Sequence, residues 1–170
     1  AMLRALASTP NPDAAFLKFD EFLLKLPAGV QLFSLFTVNP QLLNLLAKIM
    51  GSAPSIAEDL SKNPSLLDAA LIPEFFTYLP TSDELMKEFS LIILNARDYE
   101  EEKYILRRFK SEKMFQAGLQ LLDGQISAHR ASQFLSDLAE MILARVQVHA
   151  EHEFAASYGE IPGSSLAVIA

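Results

Sequence analysis

The stretch SAHRASQFLSDLAEMILARVQVHAEHEFAASY, residues 127–158, decides the fold. It contains neither proline nor glycine, and its apolar residues return every three to four positions, the spacing of one helical face. On that spacing Leu135, Leu138, Ile142 and Val146 are expected to face inward, with Ser136, Glu140, Gln147 and Glu151 toward water. A helix is expected from Ser127 to about Tyr158. Nothing in the stretch alternates with the period of a strand.

Outward from it, proline divides the chain. Eight of the nine prolines fall within the first 80 residues and none lies between Thr81 and Ile161. Proline is tolerated in the first turn of a helix and breaks its interior. The N-terminal half should therefore be short helices and the C-terminal half long ones. Asn-Pro recurs at 11–12, 39–40 and 63–64, each pair marking a helix start. NPQLL at 39–43 and NPSLL at 63–67 are near-copies, read as similar caps, because a stacked repeat fold needs about three units.

Helices are expected over 12–26, with Phe16, Phe19, Phe22, Leu23 and Leu26 as the buried stripe, then near 30–38, 40–50, 54–62 and 64–71. IPEFFTYLP at 72–80 is an aromatic-rich corner whose exposed rings would offer an interaction patch. Thr81 and Glu84 form a capping box opening a helix to about Asn95. A longer helix should run from Asp98 to Leu122 and stop near Gly124. The six glycines are read as caps and turns. The fold expected is all-α: a multi-helix bundle with short helices first, two long helices last, and one terminal strand.

Composition narrows the function. The chain has 14 Lys plus Arg against 21 Asp plus Glu, a net charge of −7. Such an acidic surface is a poor match for nucleic acid. Without cysteine there is no disulfide framework and no thiolate metal site, which fits a reducing compartment. No signal peptide is visible, so a cytoplasmic location is expected. The apolar stretch 28–50 is interrupted by Pro40, so two short buried helices are expected there and no membrane span. Residues 1–10 are taken as a lead-in without structure, Ala-Met as a tag remnant. Residues 11–158 then form one helical domain in two halves, 11–96 and 97–158.

His149 and His152 stand at i,i+3, but no further inward-pointing ligands accompany them, so no metal site is assigned. No nucleophile elbow and no phosphate-cradling loop is present, so no catalytic or cofactor-binding residue is assigned either. The candidate site is EEEKYILRRFKSEK, 100–113. Lys103, Arg107, Arg108, Lys110 and Lys113 fall within eleven positions, and Lys103, Arg107 and Lys110 share a helical face. They read either as a solvated face neutralised by Glu100, Glu101, Glu102 and Glu112, or as a contact for an acidic partner or an adjoining domain.

Two longer stretches carry a resemblance. FDEFLLKLPAGVQLFSLFTVNPQLLNLLAKIMGSAP (19–54), followed by NPSLLDAALIPEFF (63–76), resembles the middle region of the glutamate–ammonia-ligase adenylyltransferase family. RRFKSEKMFQAGLQLLDGQISAHRASQFLSDLAE (107–140) is similar to the helical stretch ahead of a nucleotidyltransferase core in that family. The likeness covers about residues 15–170. It implies a parent enzyme with two heads, one transferring AMP from ATP to glutamine synthetase, the other removing it, with Mg²⁺ at the phosphates.

In the family the counterpart of GSSLAVIA leads into a glycine-rich segment and paired carboxylates. The resemblance therefore implies that 159–170 is a turn and the first strand of a truncated nucleotidyltransferase domain. It also implies that this segment is non-catalytic and couples the two heads in nitrogen regulation, with glutamine synthetase and a PII-type signalling protein as partners. The competing expectation is a free-standing helical adaptor with no catalytic parent.

Overall fold

A computed structural model describes residues 2–25, 36–37, 40–69, 74–159 and 163. These residues are helices, turns and short connections, with no strand among them. The helix expected near 30–38 falls largely outside the described residues. Leu26, the 27–29 turn, Asn39 and the terminal strand at Leu166–Ile169 lie wholly outside them.

The short helices are α1 (Met2–Ala7), α2 (Pro12–Lys25), α3 (Pro40–Ser52), α4 (Pro54–Lys62), α5 (Leu66–Ala69) and α6 (Glu74–Thr77). Three of them begin at a proline, as the N1 preference requires. The Asn11 side chain accepts from the Ala14 N–H at 3.3 Å. Asn63 instead closes α4, its own N–H donating to the Asp59 carbonyl, while its side chain takes the Ser65 hydroxyl at 2.8 Å. The lead-in expected at 1–10 holds a helix. Leu6 of α1 is buried in the first core, with Met2 and Ala5 packed against it, and this apolar contact ties the lead-in to the bundle.

The second half holds α7 (Ser82–Ile93) and the two long helices α8 (Tyr99–Leu122) and α9 (Ala128–Tyr158). Their starts are the ones the capping residues specify. Thr81 and Glu84 make the reciprocal capping box of α7. The Asp98 side chain accepts from the Glu101 N–H, and the Ser127 hydroxyl oxygen from the Arg130 N–H. Gly124, with φ of 72°, lets the chain leave α8 in a conformation that a side chain would resist.

Two apolar cores result. The first is enclosed by α1 to α6 and plugged by Phe115 and Leu119 of α8. The second gathers Leu79, Leu85 and Phe89 with Leu106, Phe109 and Ala117 of α8 and Phe134, Leu138 and Met141 of α9. On a wheel of about 100° per residue, the two sets on α8 fall on opposite sides. That helix is therefore apolar on two faces and serves both cores.

Four details differ from expectation. Phe16 is half exposed. On α9 the inward residues are Ala131, Phe134, Leu138 and Met141, whereas Leu135 and Val146 lie at the surface. Gly118 is neither cap nor turn. It sits inside α8, where an added Cβ would meet Ile56 Cδ1 at 2.8 Å, so it sets the approach of α4. In the aromatic corner Phe75 is buried against Phe115, with ring centroids 5.9 Å apart, leaving Tyr78 as its exposed ring. No helix among the described residues is long and apolar enough to cross a membrane.

Candidate functional site

The five cations singled out on α8 divide into two groups. Lys113 is turned inward and buried, its Nζ 2.7 Å from Glu88 of α7 and 5.3 Å from the Phe109 ring centroid. A charge at that depth persists because it is paired and stacked on an aromatic face. Lys103 is paired with Glu100 and lies 4.8 Å from the Tyr99 ring centroid. Arg107, Arg108 and Lys110 are exposed, and none forms an ion pair with a described residue. Tyr104, 64% exposed, stands among them.

Three of the four neighbouring glutamates are engaged elsewhere. Glu100 is taken by Lys103. Glu101 accepts from the Arg97 guanidinium at 2.9 Å and from its backbone N–H at 2.8 Å. Glu102 faces the interior. The exposed cations are thus a local positive excess on an acidic protein.

Glu102 anchors a cluster that the charge run concealed. Its carboxylate is buried between α8 and α9. Arg145 donates to both its oxygens, Nε to Oε1 at 2.5 Å and Nη2 to Oε2 at 2.9 Å. His149 Nε2 lies 2.9 Å from Oε1, and its ring stacks on Tyr99 with centroids 4.3 Å apart. An ionised carboxylate only accepts, so Nε2 carries the proton in this contact. The Arg145 guanidinium holds the Glu102 carboxyl below the usual carboxylate range against the opposing effect of burial, and His149 adds to it. The forked pair fixes α9 against α8 in register and direction.

A second polar contact docks the corner onto α8. Gln116 and Gln120 both donate to the carbonyls of Phe75 and Tyr78, at distances from 2.9 to 3.4 Å. The Glu74 carbonyl takes the Tyr78 N–H, and the two amides cover the Phe75 carbonyl of α6 and the Tyr78 carbonyl just after it. Arg130 Nη2 donates to the Pro80 carbonyl at 2.9 Å. Beside it an open groove of about 680 Å³ is lined by Thr81, Ser82, His129, Arg130 and Gln133. Among the described residues no three His, Asp or Glu side chains converge as metal ligands.

The cluster left a signal in the sequence. Glu102, Leu106, Phe109, Lys113, Gln116 and Gln120 recur at steps of three and four. Polar residues in that inward row announce buried partners, while the partners themselves lie 25 to 47 positions away.

Comparison with known proteins gives the arrangement its context. The family model described as glutamate-ammonia ligase adenylyltransferase matches residues 43–167. A bifunctional glutamine synthetase adenylyltransferase/adenylyl-removing enzyme of Brucella melitensis is 41% identical over 170 residues, all of this chain and 17% of that protein. Its counterpart in Mesorhizobium japonicum is 41% identical over 169 residues, and that of Rhizobium meliloti 38% over 168. Each match covers 99% of this chain and 17% of the relative. The free-standing adaptor without a catalytic parent is set aside by these matches. With more than half its length matched by the family model and all of it matched by curated relatives, the chain belongs to the glutamate-ammonia ligase adenylyltransferase family.

Proposed function

We propose that this chain is the helical regulatory and linking segment of a cytoplasmic enzyme that transfers AMP from ATP to glutamine synthetase and removes it again. The observation that carries this reading is the match of the whole chain to 17% of a bifunctional relative. The segment is non-catalytic. ATP and Mg²⁺ are bound by other parts of the longer polypeptide, because the donor set here does not fit them. Glu100, Glu101 and Glu102 are each engaged by a cation, and in-line phosphoryl chemistry needs free carboxylates converging on a metal.

Arg107, Arg108 and Lys110 form the contact surface of the segment, for an adjoining nucleotidyltransferase domain or for a PII-type signalling protein. Lys103 and Lys113 hold that surface in place through their ion pairs. The bundle couples the two heads only if it has two states of different affinity. The exposed cations are the groups able to sense which partner is bound.

The test incubates the 170-residue chain and the full-length enzyme separately with glutamine synthetase, labelled ATP and Mg²⁺. Label is expected on the synthetase with the full-length enzyme alone. Transfer by the short chain, or by neither protein, overturns the reading. In the full-length enzyme, Arg107→Glu with Arg108→Glu should weaken regulation by the signalling protein or alter the ratio of the two activities. A variant unchanged in both respects removes the patch from the proposal.

A further inference from the structure

We propose that a second face of α9, lined by Leu135, Ala139, Leu143, Val146, Ala150 and Phe154, is the seat of the rest of the full-length polypeptide, outside these 170 residues, through an apolar surface edged with basic side chains. The inference rests on the proposed function only in taking the chain as a segment of a longer enzyme.

All six residues are exposed, and at about 100° per residue they fall within an arc of about 100°. The arc points away from the row Phe134, Leu138 and Met141 that enters the second core. Between positions 135 and 150 it carries no charge. Leu143 and Phe154 are 43% and 51% exposed, a continuous apolar strip of the kind that marks an interaction face.

The end of the helix points to the same conclusion. Tyr99, the first residue of α8, stacks on His149, so α9 runs on past the start of its partner. From Ala150 to Tyr158 every residue is exposed except the half-buried Ala155. Nine residues at 1.5 Å each make an overhang of about 14 Å that extends past the packed part of the bundle with its side chains in water. It presents the ring pair Phe154 and Tyr158, 5.0 Å apart between centroids.

Two observations select the occupant. The relatives are about six times as long as the match, since this chain covers 17% of their length, and elements of one polypeptide pack on each other through their apolar faces. Charge disfavours a second copy. From 132 to 158 the acidic residues are Asp137, Glu140, Glu151 and Glu153, and the one Lys or Arg is Arg145, which is spent on Glu102. Two copies facing each other would align these acidic rows on chains of net charge −7. A basic-edged partner surface complements them.

The experiment measures hydrogen exchange over 143–158 in the 170-residue chain and in the full-length enzyme, each with and without Leu143→Glu plus Ala150→Glu. Exchange should be about tenfold or more slower in the full-length enzyme, and the double substitution should abolish that difference while leaving the melting temperature of the short chain unchanged. Equal exchange at both lengths overturns the proposal. So does a concentration-dependent dimer of the short chain that the substitutions dissolve, which would make a second copy the occupant. AMP transfer by the full-length enzyme is scored independently, so active enzyme with unprotected α9 rejects the docking face alone.

Discussion

Glu102 occupies a place on α8 where the helical register calls for an apolar side chain, and its burial is tolerated because Arg145 and His149 meet it from α9. Glu102→Gln keeps the shape and removes the charge. The loss expected is about 2 kcal/mol, the scale of a hydrogen bond to a charged group, read from urea denaturation. Its pH dependence has a definite sign. The folded carboxyl holds its proton less tightly than the unfolded one, so the stabilisation is complete above the ordinary carboxylate range and fades as pH falls through it. Glu84 acts in the same direction and further down. The Tyr78 hydroxyl, with the backbone and side chain of Thr81, lowers its carboxyl to about 2. Urea midpoints measured from pH 7 to pH 3 should fall, and fall less steeply in Glu102→Gln. At this scale the sequence shows that something polar is buried. It does not show the partner, because 43 positions separate Glu102 from Arg145 and only packing joins them.

Among the elements, two glycines set how closely helices approach, and they differ in what surrounds them. At Gly51 in α3 a new Cβ would sit 2.3 Å from Thr9 Cβ, an atom fixed to its backbone. Gly51→Ala should push α1 away and cost about 1–3 kcal/mol, as overpacking does. At Gly118 the obstruction is Ile56 Cδ1, the far end of a side chain that can rotate. There the gain in helix propensity, up to about 1 kcal/mol, should offset the displacement and leave Gly118→Ala close to neutral. Thermal melts of the two variants separate the cases. Removing the N-cap with Thr81→Ala should cost about 1 kcal/mol, measured the same way. Helix starts were legible because Thr81, Asp98 and Ser127 cap through their own side chains. The inward face of α9 was legible only in part, at Leu138 and Ile142. Its apolar residues lie on two sides, so periodicity alone offers two stripes, and the position of α8 chooses Phe134 and Leu138 over Leu135 and Val146. Gly118 was misassigned for a related reason, since a glycine inside a helical pattern looks the same as one that ends it.

For the molecule as a whole, the helical character of the described residues follows from proline placement and capping, and was readable. Its unity was not. The change in texture near residue 96 suggests two halves, yet Phe115 and Leu119 in the first core and Leu106 and Phe109 in the second belong to one helix. Phe115→Ala should cost about 3–5 kcal/mol and lower a single calorimetric transition; two separated transitions would mean that the cores melt independently. The shared helix also determines what happens when the chain is severed between Asn95 and Asp98. The first piece would be a cup without its stopper, the second a hairpin with one flank bare, and each would remain loose alone. Mixed in equal amounts they should reassemble without a peptide bond between them, so that this helix, supplied in trans, works as the key that closes both chambers at once.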